Sequence, residues 1–299
     1  MEAWAHGAPP SMLIERAPAK VNLTLHVLGR RADGWHEIES LVAFAGCADI
    51  LAFAIGGPLT LTVGGPGAAG AGPDQDNLVL RASRRLAQAI PGLRTGRFHL
   101  TKRLPAAAGL GGGSSDAAAA LRLLARANGL SMNDPRLREA ARLTGADVPV
   151  CLERRARVMK GLGEELGPLV RLPPLFAVLV NPRVALETGK VFARMGLAPG
   201  QRSPSAKNAT PLDLSTTPAF VASLQNGAND MQEAACALAP IVGEALTLLA
   251  SAPATRLARM SGSGATCFGL FETRHAAARA AARMRGQRPA WWVKATVLR

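Results

Sequence analysis

One run constrains the fold more than any other: Pro105-Ala-Ala-Ala-Gly-Leu-Gly-Gly-Gly-Ser-Ser-Asp116, set between a strand pattern and a helix pattern. Upstream, Phe98, Leu100 and Leu104 share one face of Phe98–Leu104 at period two. Downstream, Ala117–Asn128 is dense in strong helix formers and is stopped by Gly129. A glycine-rich turn opening a helix points several backbone N–H groups into one concavity. The helix adds its own unpaired N–H groups and the positive end of its dipole. That combination seats phosphate. The other reading is a plain turn with Ser115 or Asp116 as helix cap, but four glycines within Gly109–Gly113 exceed what a cap needs. The expectation is a phosphorylated ligand.

The run is none of the commoner phosphate loops. A Walker loop requires Gly-Lys-Ser/Thr, whereas Gly113 is followed by Ser114 and Ser115. Counting from Gly109 and Gly111, the third glycine of a dinucleotide fingerprint falls on Ser114. No Gly-x-Ser-x-Gly elbow marks a serine hydrolase.

The 299 residues suggest two domains, at the usual ~150 residues each, with a boundary near residue 160: 1–160 and 161–299. Cys47, Cys151, Cys236 and Cys267 lie far apart and read as thiols of a reducing compartment; the five histidines form no ligand cluster. The Pro- and Gly-containing N-terminus has no basic segment followed by an apolar core. No apolar stretch approaches the ~20 residues of a membrane span. A soluble, cytoplasmic protein is expected. The net charge of +14 is compatible with nucleic acid. However, the arginines are dispersed along helix patterns (Arg81, Arg84, Arg85; Arg122, Arg126; Arg136, Arg138, Arg142) without interleaved aromatics. They read as a solvated surface.

Ala19–Val27 alternates as a strand, with Lys20, Asn22, Thr24 and His26 sharing the face opposite Val21, Leu23, Leu25 and Val27. A turn at Arg31–Gly34 leads to Trp35-His-Glu-Ile38. Strands are expected at Asp49–Ile55 and Leu59–Val63, and a flexible loop at Gly64–Pro73. Helices are expected from an Asp76 cap to Ile90 and from Pro135 to Leu143, followed by a turn at Thr144–Asp147. In the second half, Phe176–Val180, Ala265–Phe271 and Trp291–Leu298 read as strands. Lys190–Met195, Asp230–Leu238, Ile241–Leu249 and an alanine-rich segment capped by Thr273 read as helices. Ser203–Pro218 reads as a surface loop.

Four segments then stand in order: Pro18-Ala-Lys-Val-Asn-Leu23, Leu104–Ser115, Gly145-Ala-Asp-Val-Pro149 and Ser261-Gly-Ser-Gly-Ala265. They resemble the motifs of the GHMP kinase superfamily. Arg31-Ala-Asp-Gly-Trp-His36 and Gly145–Val150 are similar to the branch that acts on a cytidyl-diphosphate-linked polyol of isoprenoid synthesis. The likeness runs from about Ile14 to the C-terminus. It implies an α+β, two-domain fold: an N-terminal domain like ribosomal protein S5 domain 2 and a ferredoxin-like C-terminal domain. It also implies transfer of the γ-phosphoryl group of ATP, with Mg2+, to the 2-hydroxyl of a small-molecule substrate; neither nucleic acid nor membrane is a partner. By the same resemblance, Asp147 is the general base, and Lys20 steers the hydroxyl and offsets charge. Gly109, Gly111, Gly112, Gly113, Ser114 and Ser115 form the polyphosphate cradle. Asn77, Leu78 and Lys102 lie near the adenosine. Asn22, Trp35, His36, Thr188 and Phe192 meet the substrate, with Trp35 and Phe192 stacking on cytosine and His36 reading its edge. No residue is assigned as a metal ligand. Trp35 stands where the family usually has Tyr, and Gly189-Lys190 replaces a proline-containing run. Taken singly, Asp147 also fits a turn carboxylate, Lys20 a solvated strand lysine and Trp35 a hairpin anchor. The alternatives for the whole chain are another GHMP kinase, acting on homoserine or mevalonate, and a nucleic-acid-binding protein.

Overall fold

The computed structural model describes residues 12–70, 77–204 and 212–299. The chain forms two compact units, each discontinuous in sequence. The first takes the chain up to Ala17, Ala48–Ala106 and Gly112–Leu152; the second takes Pro18–Cys47, Ala107–Gly111 and Glu153–Arg299.

In the first unit the strand β3 (His36–Ile55) contributes its second half. It pairs antiparallel with β5 (Gly96–Thr101), placing Phe53 opposite Phe98. β4 (Thr60–Gly64) adds in parallel on the far side of β5, after a crossover through α1 (Leu78–Ala89). Helices α1, α2 (Gly112–Ala127) and α3 (Pro135–Thr144) pack on one another. Phe53, Phe98, Leu86, Leu121 and Leu124 are fully or nearly fully buried in this layer. The unit ends in α4 (Val148–Glu153), which begins directly after the expected turn.

Several details differ from the sequence reading for identifiable reasons. The strand expected to reach Leu104 stops at Thr101. There the N–H groups of Arg103 and Leu104 leave the ladder and donate to Asp49 Oδ1, at 2.5 and 2.8 Å. Helix α2 opens at Gly112 rather than after Asp116. First-turn N–H groups need no intrahelical partner, so glycine costs little there. The expected Asp76 cap lies outside the described residues; Asn77 caps α1, its Oδ1 accepting from Val79 N at 3.0 Å. Part of the expected Gly64–Pro73 loop is a short 3-10 turn at Ala68–Gly70, and the end of that segment lies outside the described residues. Arg122, expected at the surface, is buried: its guanidinium meets Glu15 and the carbonyls of Arg16, Cys151 and Leu152.

The second unit contains the end of β1 (Met12–Asn22) from Pro18 on, β2 (His26–Arg30) and the first half of β3. β6 (Arg157–Lys160) pairs with β3 and with β7 (Glu165–Leu169). The single strand expected over Ala19–Val27 is broken at Leu23–Leu25, where Leu25 N donates to Ala228 O and Ser40 Oγ donates to Thr24 O. The face carrying Lys20, Asn22, Thr24 and His26 is buried rather than solvated.

The C-terminal part contains β8 (Leu175–Asn181), β9 (Thr255–Met260), β10 (Cys267–Phe271) and β11 (Trp292–Leu298), all antiparallel in the order β11-β8-β10-β9. Among the described residues, four helices lie between β8 and β9: α5 (Thr188–Met195), α6 (Thr217–Gln225), α7 (Gln232–Leu238) and α8 (Pro240–Ala250). α9 (Arg274–Gln287) lies between β10 and β11. Numbering these strands one to four gives the order 4-1-3-2, the split βαβ arrangement of a ferredoxin-like fold. Thr273 caps α9 as expected. The expected loop Ser203–Pro218 gives way at Thr217 to α6, capped by Thr216; residues 205–211 lie outside the described set. No disulfide joins the cysteines; Cys151 and Cys267 are buried. Among the described residues no helix is long and apolar enough to cross a membrane.

Candidate active site

In the first unit, the open end of α2 carries the unpaired N–H groups of a sixteen-residue helix. The start of α1 lies beside it: a Cβ built on Gly113 would fall 3.4 Å from Leu78 Cδ1. Asn77, Leu78, Gly112, Gly113 and Ser114 therefore lie close together. Gly113 is exposed and Ser114 half-buried, but Ser115 is fully buried. Lys102 sits below this turn, 3.6 Å from where a Gly112 Cβ would stand.

Lys102 is not a free cation. Its Nζ donates to Asp49 Oδ2 at 2.5 Å and to Asp116 Oδ2 at 2.7 Å, and all three side chains are buried. Burial works against the lysine's charge, but the Asp116 and Asp49 carboxylates outweigh it and hold its pKa above the ordinary value. For Asp116, burial dominates and Asp49 adds to it. Lys102 offsets them only in part, and the carboxyl is pushed up to about 7. Asp147 stands half-buried just before α4, in a turn closed by Val148 N donating to Gly145 O.

In the second unit, β1 and the leading part of the glycine run are tied together. Lys20 N donates to Leu110 O at 2.8 Å. Lys20 Nζ donates to Asn22 Oδ1 at 3.3 Å, and Asn22 Nδ2 to Ser40 Oγ at 2.7 Å. Ser261 Oγ accepts from Asn22 N at 3.0 Å and donates to Gly109 O at 2.9 Å. Gly109 has φ +70°, and a Cβ there would lie 2.3 Å from Ser261 O. No side chain fits. Asn229 Nδ2 steadies the same turn, donating to Met260 O and Gly262 O at 2.8 Å each.

The residues expected at the base occupy the same unit. His36 and Phe192 stack, with ring centroids 4.1 Å apart and planes 11° apart. Trp35, 63% exposed, stands at the hairpin end, where Arg31 N donates to Trp35 O. It is thus His36, not Trp35, that covers a face of Phe192 here. His36 Nε2 is buried with no hydrogen-bond partner. Burial, then the charge of Arg30, lowers the His36 pKa, favouring the neutral ring. Thr188, at the start of the helix that carries Phe192, shares a 2.7 Å hydrogen bond with Ser263.

Sequence reasoning missed Asp49, Ser40 and Asn229, and read Asp116 only as a candidate helix cap. Asp49 carried a faint signal, a carboxylate inside an apolar strand; Ser40 and Asn229 carried none. Among the described residues no three His, Cys, Asp or Glu side chains gather as a metal site.

Two family descriptions match: GHMP kinases N terminal domain over residues 77–154, and GHMP kinases C terminal over 219–289. A 4-diphosphocytidyl-2-C-methyl-D-erythritol kinase of Methylobacterium radiotolerans is 57% identical over 290 residues, covering 97% of this chain and 100% of the relative. The chain belongs to the GHMP kinases. A relative of the same name from Xanthobacter autotrophicus is 57% identical over 95% of the chain and 98% of its own length. Among solved structures, a 4-(cytidine 5'-diphospho)-2C-methyl-D-erythritol kinase superposes with TM-score 0.74 at 33% identity, over 95% of this chain and 99% of that one. A homoserine kinase from Cytophaga hutchinsonii, at 19% identity and TM-score 0.71 over 99% of this chain and 96% of its own, shares the fold.

Proposed function

We propose that this GHMP kinase transfers the γ-phosphoryl group of ATP to the 2-hydroxyl of 4-diphosphocytidyl-2-C-methyl-D-erythritol, a step of the non-mevalonate isoprenoid pathway. The observation that carries the reading is the 57% identity to the Methylobacterium radiotolerans enzyme of that name across nearly the whole of both chains.

Phosphoryl transfer asks a protein for positioning and charge stabilisation more than for covalent chemistry. The N–H groups at the start of α2, with Ser114, receive the polyphosphate, and Asn77 and Leu78 flank the nucleoside. Gly109 and Gly111 shape the approach; Gly109 tolerates no Cβ against Ser261. Fully buried Ser115 and the doubly paired Lys102 support the cradle from below. Asp147 accepts the proton of the 2-hydroxyl as its oxygen attacks the γ-phosphorus. Lys20, held by Asn22, steers that oxygen and offsets its developing charge. His36 and Phe192 meet the cytosine, Trp35 closes over it from the exposed hairpin, and neutral His36 reads its edge through the unpartnered Nε2. Asn22 and Thr188 hold the polyol side. No side chain is assigned to hold Mg2+; the nucleotide phosphates themselves would hold it, and it would supply neutralisation of their charge. The reading places the enzyme in the cytoplasm, with its modules dividing near residue 160 and no nucleic-acid partner.

Purified protein incubated with ATP and the cytidyl substrate is expected to give a new phosphomonoester on the 2-hydroxyl by phosphorus NMR. ATP consumption without that product would refute the proposal.

A further inference from the structure

The buried cluster beneath the start of α2 holds one carboxylate more than its lysine can neutralise. Its two aspartates are not equivalent. Asp49 is satisfied at both oxygens: Oδ2 accepts from Lys102, and Oδ1 from the N–H groups of Arg103 and Leu104. Asp116 accepts from Lys102 through Oδ2, while its Oδ1 is buried with no partner. A bare oxygen on a 3% exposed carboxylate is where ionisation costs most. A proton on that oxygen makes the cluster neutral and leaves the Lys102 contact at Oδ2 intact.

Among the described residues, Lys102, just beyond β5, and Asp49, on β3, are the two charged groups that act on this carboxyl. The helices packed against α2 bury apolar or neutral side chains. The charged residues of α1 (Arg81, Arg84, Arg85) and of α3 (Arg136, Arg138, Glu139, Arg142) are all exposed, as is the Arg103 side chain. The cluster also lies against the turn where the polyphosphate is placed: a Gly112 Cβ would stand 3.6 Å from Lys102 Nζ and 3.9 Å from Asp49 Oδ2. Bringing several negative charges to that turn raises the cost of an ionised Asp116 further.

We propose that Asp116 couples nucleotide binding to proton uptake: a polyphosphate docking at the start of α2 drives a proton from solvent onto Asp116 Oδ1. The inference rests on the nucleotide reading above. The step forms one O–H bond on Asp116 and removes one proton from a buffer acid. Lys102 stays an ammonium bound to both aspartates. By linkage, nucleotide affinity falls as pH rises through the range in which Asp116 titrates. With an unliganded value of about 7, a further upward shift of about one unit gives an uptake of roughly half a proton per nucleotide near pH 7.5.

The test is calorimetric titration of ADP into wild type and Asp116→Asn, in buffers of different ionisation heat at about pH 7.5. The difference between the proteins cancels protons that belong to the nucleotide. Wild type is expected to take up about half a proton more than the variant, whose neutral amide stands in for the protonated acid. Equal counts with binding intact overturn the inference and leave the nucleotide reading standing. Absence of saturable binding to wild type overturns both. Should the variant fail to fold, infrared difference spectra of wild type decide the matter. ADP is expected to increase a protonated-carboxyl band, and no increase overturns the inference.

Discussion

In the proposed function, the groups that would meet the nucleotide at the start of α2 are main-chain N–H groups of a helix, backed by a buried lysine and two aspartates. On the β2–β3 hairpin and α5 the groups that would meet the substrate are side chains: the stacked rings of His36 and Phe192, and a tryptophan left largely in solvent. The first arrangement is preorganised by secondary structure. Its glycines matter because they expose backbone, and its electrostatics are set before a ligand arrives. The second depends on side chains delivered from distant parts of the sequence, one of which is exposed. The phosphate region should therefore fail through steric or charge changes in the backbone cradle. The aromatic region should fail by loss of stacking, in smaller and more divisible steps.

The largest effect should spare both binding regions. Asp147→Asn is expected to bind ATP and substrate while its single-turnover rate falls by roughly 10²–10⁴, the usual worth of base catalysis. Lys20→Met should be comparably damaging, and the double variant less than additive. Retention of more than about a tenth of the rate by Asp147→Asn would make the carboxylate structural.

Gly112→Val tests the cradle itself. A Cβ at Gly112 meets its nearest neighbours only at ordinary contact distance, so the fold should hold. The added methyl groups should keep phosphate from the N–H groups. Losing one or two charge-assisted hydrogen bonds should weaken nucleotide binding roughly ten- to a hundredfold, with affinity for the cytidyl substrate unchanged. Equal losses for both ligands would erase the contrast between the regions. Trp35→Ala probes the other side. Base–aromatic stacking is worth ~1–3 kcal/mol, so the substrate dissociation constant should rise roughly five- to a hundredfold, with ATP binding unaltered. An unchanged constant would leave Trp35 as a hairpin anchor and the His36–Phe192 pair as the whole platform.

The smallest effect concerns stability. The Asp116 pKa is raised from 3.8 to about 7 in the folded chain, so the native state binds more protons than the unfolded state between those values. Its stabilising contribution is complete below the unfolded value and is lost as pH rises through about 7. Wild type should lose on the order of a few degrees of melting temperature across that window relative to Asp116→Asn. Parallel melting curves for the two proteins would show that Asp116 stays ionised.

The same contrast explains what could be read from the sequence. The glycine run, the helix after it and the Thr273 cap are local signals, set by residues within a few positions of one another, and they were legible. So were three strands of the C-terminal sheet, β8, β10 and β11, because each runs largely apolar in its own right; β9, interrupted by Arg256 and Arg259, was not. The buried cluster was not, because Lys102 finds Asp49 and Asp116 only through the fold, and a lone aspartate in a strand carries no mark of its partner. Arg122 was misread for a related reason. One turn before exposed Arg126 it reads as part of the same solvated face, and the Glu15 carboxylate with the carbonyls of Arg16, Cys151 and Leu152 makes its burial tolerable. The family resemblance supplied His36 and Phe192 as residues but not their mutual stacking, which depends on how α5 meets β3.

The central claim, a kinase whose phosphate cradle serves a cytidyl-bearing acceptor, is tested most directly by competition. Wild-type protein with ATP is offered the cytidyl-diphosphate-linked polyol, the same polyol phosphate without the cytidyl group, homoserine and mevalonate together, and the phosphorylated products are counted. The account predicts that the cytidyl-bearing acceptor takes nearly all the transferred phosphate, and that Trp35→Ala narrows its lead over the cytidyl-free polyol. Preferential phosphorylation of homoserine, mevalonate or the cytidyl-free polyol would contradict it.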